Sequence, residues 1–365
     1  ARAQVAAQPD LYADPQPAQT RSAPAWQRVE LGARGHRYRI PVYASRRLDA
    51  PAALRAVQRI VIVVHDERRE AEPPYDAVTA LYGGQAEREA DTLTIAPRFP
   101  GTVDAGFGGM PAWRRAGWMD GLPSVSAPGR PAPVGAYQVL DDLLRELTAP
   151  GRLPALHAIV LAGHGGGGQM VQRYAVLNPL DESLRAAGLA LTYVVANADS
   201  YLYLSPERPT PNGRGYARYE RGICPTYDQY RYGLDNLPAA LDAYEGKLDR
   251  ARLAARYAQR HVVYLLGGAD NNPEDPGLDK GCGAEAQGAT RLARGLGYWG
   301  HETARPPARG APARASRAAH QGFVAVGVGH DEADLYGSAC GAQALLGDGD
   351  WAVQAACVAM PARKP

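Results

Sequence analysis

"VLAGHGGGGQM", residues 160–170, decides how the rest of the chain is read. The residues before it, "HAIVLAG" (157–163), form a continuous apolar run of strand character, and those after it, "QMVQRYAVL", have helical character. A tight strand-to-helix turn needs small residues on both sides, because a side chain there would strike the neighbouring strand and helix. The pattern is G-x-S-x-G with the serine replaced: Gly163, His164, Gly165, Gly166, Gly167. It reads as a turn built to present a nucleophile, with glycine at the nucleophile position. A phosphate-binding loop is the competing reading. Against it, the glycines follow the fourth strand-like segment rather than the first, and there is neither G-x-x-x-x-G-K-[ST] nor a downstream ribose-binding acid.

Working outward, short β-rich runs alternate with helical stretches, the mark of an α/β fold with a largely parallel sheet. Predicted strands are 36–45 (an early edge strand), 59–65, 91–98, 157–163, 191–198, 261–268 and 322–329. "RIVIVVH" (59–65) is a β-branched run expected at the sheet centre, covered on both faces. Helices are expected over 75–90, 136–148, 168–177, 239–259 and 284–296. The fold class is thus a mostly parallel, doubly wound sheet with helices on both faces. About sixty residues separate strands 191–198 and 261–268, more than a crossover needs. This insertion, about 199–258, is tyrosine-rich, in a chain with 20 Tyr and only 3 Phe. It reads as a lid or pocket wall of amphipathic rings, with Tyr201, Tyr203, Tyr227 and Tyr230 as candidate substrate contacts. The alternative is a cap whose tyrosines only pack and bond to loop backbone. Residues 1–30 read as a Pro/Gln/Ala-rich tether, either as expected after removal of an export signal or as a plain disordered terminus, and residues 31–365 as a single domain.

The 365 residues carry Lys+Arg 40 against Asp+Glu 38, a balance that gives no electrostatic reason to expect nucleic acid or an anionic membrane as partner. No run approaches the roughly 18–20 apolar residues needed to span a bilayer. The four cysteines, Cys224, Cys282, Cys340 and Cys357, lack CxxC spacing, which argues against zinc and thioredoxin-type chemistry. An even count in a chain of exported character suggests two disulfides. Of the three connectivities, Cys224–Cys282 with Cys340–Cys357 is favoured by the closeness of the last two, and four buried free thiols are the alternative. Neither a metal nor a cofactor is expected, and the localisation expected is secreted or periplasmic.

If the turn is a nucleophile elbow, an acid and then a histidine should follow at later strand ends. "HVVYLLGGAD" places Asp270 just beyond one strand, and "VAVGVGHD" places His330 just beyond the last. Asp270 would orient His330, and His330 would act as general base. Asp331 and Asp334 read as surface residues, while His65 and His164 read as structural hydrogen-bonding groups.

With these motifs in hand, the chain resembles bacterial secreted serine hydrolases, esterase-like members of the α/β-hydrolase fold superfamily, from about residue 55 to 345. The resemblance rests on "HDERREAEPPY" (65–75), "AGHGGGGQMVQRYA" (162–175), "LDKGCGAEAQGATRLARGLGYW" (278–299) and "GVGHD" (327–331) followed by Cys340. It implies ester- or β-diketone-cleaving chemistry on a small or polymeric carbonyl substrate, with the backbone of Gly166 and of the loop at Glu67 as the oxyanion hole. The chain departs from the family at Gly165, where the serine stands, at Asp66, where an "HG" glycine stands, at Glu70 in place of asparagine, and at Gly135-Ala136 in place of a serine pair. Without the serine no acyl-enzyme forms at 165. A serine removed from an otherwise intact site would leave the oxyanion side unchanged, so the change at Asp66 favours natural divergence. Three functions remain open: a hydrolase in which Asp270–His330 activates water directly, or an inactivated form of one; a lyase or cyclase using His330 with Asp66 or Glu67; and a non-catalytic binding protein, a pseudoenzyme.

Overall fold

The computed structural model describes residues 26–304, 320–347 and 356–361. Its core is a nine-stranded sheet in the order β1-β2-β4-β3-β5-β6-β9-β10-β11. The strands are β1 (Trp26–Leu31), β2 (Tyr38–Ala44), β3 (Arg59–Val64), β4 (Thr92–Pro97), β5 (Ala158–His164), β6 (Ala190–Ala196), β9 (His261–Gly267), β10 (His320–Ala325) and β11 (Cys357–Ala359). A separate two-stranded hairpin is formed by β7 (Glu207–Pro209) and β8 (Tyr216–Arg218). The six strands from β4 to β10 run parallel, while β1, β2 and β11 pair antiparallel at the two margins.

Strand alternation builds two cores. Ile60, Ile62, Val64, Ile159, Leu161, Leu191, Tyr193 and Val195 point to one face. Val61, Val63, Val160, Ala162, Val194 and Ala196 point to the other. Because both faces are covered, these strands are apolar throughout rather than alternating with polar residues.

The helices are α1 (Pro51–Leu54), α2 (Glu72–Ala80), α3 (Ala86–Asp91), α4 (Ala136–Leu147), α5 (Gly166–Leu177), α6 (Asp181–Ala186), α7 (Ala239–Glu245), α8 (Arg250–Tyr257), α9 (Cys282–Glu285), α10 (Arg291–Ala304), α11 (Glu332–Gly337) and α12 (Ala339–Leu346). In α4, Ala136, Leu140, Leu143, Leu144 and Leu147 form an apolar stripe against the first core. Leu335 and Tyr336 of α11 and Leu345 of α12 cover the second. Every residue of α5 is buried, which makes it the central helix of the site.

Several boundaries differ from expectation. The predicted helix over 75–90 is two helices, parted at Gly83-Gly84, and that over 239–259 is two, parted where Gly246 caps α7 at φ 93°. The expected edge strand is internal, because β1 lies outside it. That strand begins within the stretch read as a tether, so residues 26–30 belong to the sheet, and residues 1–25 lie outside those described. Both expected disulfides are present, Cys224–Cys282 and Cys340–Cys357. Among the described residues no helix is long and apolar enough to cross a membrane.

Candidate active site

The site lies at the carboxyl ends of β3, β5, β6, β9 and β10. At the end of β5, Gly165 has φ 53° and ψ −117°, outside the ordinary regions for a residue with a side chain. The glycines around it are enforced by contact. A Cβ on Gly163 would stand 2.2 Å from the carbonyl oxygen of Gly167, and one on Gly167 would stand 2.4 Å from that of Val64. The turn thus brings β3, β5 and α5 closer than side chains allow, and aims the amino terminus of α5 outward.

Asp66 occupies the space above this turn. Its Oδ1 accepts the backbone N–H of Gly166 at 2.6 Å. A Cβ on Gly165 would be 2.4 Å from that same oxygen. The carboxylate therefore sits where a side chain on residue 165 would begin, bound to the first N–H of α5. The backbone of Asp66 is fixed from behind by His65. Phe99 donates its N–H to His65 Nε2 at 3.0 Å, so Nδ1 carries the proton and donates to the Asp66 carbonyl at 2.8 Å. Burial among Phe99 and Trp118 pushes the His65 pKa down to about 3, so the ring stays neutral.

Opposite Asp66, His330 donates from Nδ1 to Asp270 Oδ2 at 2.8 Å, the expected dyad. Burial disfavours the imidazolium, but the Asp270 hydrogen bond outweighs it, and the His330 pKa lies above its ordinary value. The two loops that carry the dyad are locked together. Asn197 accepts the N–H of Gly267 at 2.7 Å and donates to the carbonyl of Gly329 at 3.0 Å, while Ala269 donates to the carbonyl of Val328 at 2.8 Å. His164 packs its ring 4.6 Å from that of His330, and burial lowers its pKa to about 3. Asp66, His164 and His330 each bring one potential metal-donor atom within 4.8 Å of the others. The two imidazole rings are tilted 40° to one another, and Asp66 Oδ1 and His330 Nδ1 already hold hydrogen bonds.

No protein-family model matches this chain, and no curated protein does. Solved structures do. LpqC, a poly(3-hydroxybutyrate) depolymerase from Bordetella parapertussis, aligns with a TM-score of 0.55 at 20% identity, covering 88% of this chain and 91% of its own. Poly(aspartic acid) hydrolase-1 from Sphingomonas sp. KT-1 aligns with a TM-score of 0.51 at 21% identity, covering 86% and 96%. The fold is that of an α/β-hydrolase.

On this α/β-hydrolase framework the structure brings together Asp66, Gly165, Gly166, Asp270 and His330. Glu67 stands beside them. Its backbone nitrogen would lie 3.3 Å from a Cβ on Gly166, and its exposed side chain, flanked by protein and by Asp199 and Asp66, has its pKa pushed up to about 7. Tyr201, Tyr203 and Tyr227 are buried in the protein interior, and Tyr230 bonds to the Asp120 carbonyl and to Tyr137. Tyr227 donates to the Pro206 carbonyl at 3.0 Å, while the hydroxyls of Tyr201 and Tyr203 have no hydrogen-bond partner among the described residues. A recess of about 1030 Å³ beside β1, α4 and α7 includes none of the site residues.

The structure adds three further residues to the site. Arg291, at the start of α10, pairs with Asp199, with Asp270 at 3.5 Å and with Asp275 at 3.2 Å. Asp199 follows β6 as Asp270 follows β9, so the strand-end rule that selected Asp270 also points to it. Glu332, the first residue of α11, is pushed up to about 8 by burial and by the charges of Asp66 and Asp331, and its Oε1 has no hydrogen-bond partner. Nothing local in the sequence marks Arg291 or Glu332.

Proposed function

We propose that this chain is a hydrolytic enzyme on the α/β-hydrolase framework that works without a seryl intermediate, with His330 as general base, Asp270 as its orienting partner and Asp66 as the reacting carboxylate. The observation that carries this is the hydrogen bond from Gly166 to Asp66. It puts a carboxylate of the chain itself at the nucleophile position while the dyad stays assembled. The two solved relatives are described as a depolymerase and a hydrolase, which supports hydrolysis as the reaction class. Their substrates do not transfer directly, because an anion in the oxyanion position opposes a second negative charge developing there. A binding-only descendant of the same fold would also lack the serine, yet would have no use for an aligned His–Asp pair.

The test is turnover of a panel of esters, epoxides and alkyl halides, followed by mass spectrometry. Wild type is expected to convert at least one of them and to remain unlabelled by a fluorophosphonate, and His330→Ala is expected to lose at least a hundredfold in rate, at the low end of general-base contributions of about 10²–10⁴. The pH–rate profile should rise through a limb above the ordinary histidine value, because His330 must be neutral to act as base and its pKa is raised. Binding of panel members without conversion by either protein would instead favour the binding-only reading.

A further inference from the structure

Resting on the hydrolytic reading above, we propose that Asp66 is a covalent nucleophile: its free oxygen displaces a leaving group from a saturated carbon and forms an alkyl ester of Asp66, which His330 then hydrolyses. The two carboxylate oxygens are differentiated. Oδ1 is held at 2.6 Å by Gly166 at the amino terminus of the 12-residue α5, and no described residue hydrogen-bonds to Oδ2. The anchored oxygen fixes the carboxylate, and the open one keeps its lone pairs for attack. The group stands over Gly165, where the fold aims its nucleophile, and a nitrogen of His330 lies within 4.8 Å.

The same hydrogen bond selects the electrophile. Attack on a carbonyl carbon would create an oxyanion while the Gly166 N–H is already taken by Oδ1. Displacement at a saturated carbon creates none. The Oδ2–C bond forms as the C–X bond breaks, and the electron pair leaves with X. In the second step His330 Nε2 removes a proton from water, and the oxygen of that water attacks Cγ of Asp66. Negative charge then develops on Oδ1, the atom already held by Gly166. Collapse breaks the Cγ–Oδ2 bond, the departing alkoxide takes the proton from His330, and Asp66 is regenerated. The sum is R–X + H₂O → R–OH + H⁺ + X⁻, with the alcohol oxygen supplied by the enzyme and the water oxygen retained in Asp66.

The surroundings narrow R. Around Asp66 lie Glu67, Asp199 and Glu332, while Arg291 is shared among Asp199, Asp270 and Asp275. A surplus of acid favours neutral or cationic alkyl electrophiles over anionic ones. Partial desolvation and neighbouring charge raise Glu67 to about 7, and burial and charge raise Glu332 to about 8, so Glu332 and about half of Glu67 hold a proton at neutral pH for a departing epoxide oxygen.

The experiment uses the whole chain in excess over a primary alkyl bromide or a terminal epoxide, in ¹⁸O-water, for one turnover. Expected are an unlabelled alcohol or diol oxygen at the attacked carbon and a gain of about 2 Da in the peptide containing Asp66. His330→Gln, with its fold checked by circular dichroism, should accumulate the alkyl adduct on that peptide, and Asp66→Asn should accumulate none. Label in the product with Asp66 unlabelled would overturn the proposal, and with it the reacting role of Asp66, and leave standing only hydrolysis by the His330–Asp270 pair, since water would then attack directly. No conversion and no adduct with either probe would also overturn it, whereas the hydrolytic reading falls only if esters fail too. Conversion of one probe alone identifies X as halide or as epoxide oxygen.

Discussion

At the residue scale the site turns on a steric exchange between positions 165 and 66. Glycine at 165 leaves room for a carboxylate that comes from a different strand. Restoring serine alone should therefore fail. In Gly165→Ser the new Cβ would lie 2.4 Å from Asp66 Oδ1, on a backbone at φ 53° that side chains rarely adopt. Displacing Asp66 and straining the turn should cost about 1–3 kcal/mol, read as a lowered Tm, with no fluorophosphonate labelling. Asp66→Gly combined with Gly165→Ser removes the collision and frees the Gly166 N–H, so the double variant should gain labelling and aryl-ester turnover. Strong labelling of Gly165→Ser alone would show that Asp66 is not the obstacle. Asp270 and His330 were legible in the sequence because strand ends are where such sheets gather chemistry, and order alone paired them. Asp66 was legible as a departure from a family pattern, but not as the occupant of the nucleophile's space. That depends on the direction of one side chain, held by the Gly166 N–H.

At the scale of elements, continuous apolar strands were readable because burial on both faces removes polar residues from them. The margins were not. Strand β1 reads "WQRVEL", a half-polar edge that composition assigned to a tether, and β11 is three residues long. Helix α11 was missed as well, since its six residues carry no amphipathic period. It nevertheless delivers Glu332 to the site. Glu332 is uncharged in the folded protein up to about pH 8 but ionises near its ordinary value when unfolded. A folded-state pKa raised in this way gives stability that is fully present below the unfolded value and is lost as pH rises through about 8. Glu332→Gln keeps the shape and removes the titration. Its Tm should match wild type at about pH 5 and exceed it by a few degrees at about pH 9. Equal Tm values at the higher pH would mean that Glu332 is solvated there and not pressed against Asp66.

At the scale of the whole molecule, two disulfides brace the two sides of the site. Cys340–Cys357 ties α12 to β11, and β11 pairs with β10, the strand that leads into the His330 loop. Cys224–Cys282 ties the tyrosine-bearing insertion to α9, upstream of Arg291. Their pairing was inferable from sequence separation, whereas their relation to the dyad required the strand order, in which β10 and β11 lie beside β9. Loop-closure entropy for separations of 17 and 58 residues gives about 3 and about 4 kcal/mol for the two crosslinks. Entropy alone therefore ranks the Cys224–Cys282 bond as the greater loss of stability. Function should rank them the other way. Cys340→Ser/Cys357→Ser frees α12 and β11 and loosens the loop between β10 and α11 on which His330 rides. Cys224→Ser/Cys282→Ser leaves the Asn197 lock and the Asp270–His330 bond untouched. Below the melting transition of both variants, the first pair should therefore lose His330-dependent turnover, while the second retains it despite its lower Tm. Parallel loss of turnover and Tm in both variants would mean that the dyad is held by the sheet alone, and that the C-terminal crosslink serves only global stability.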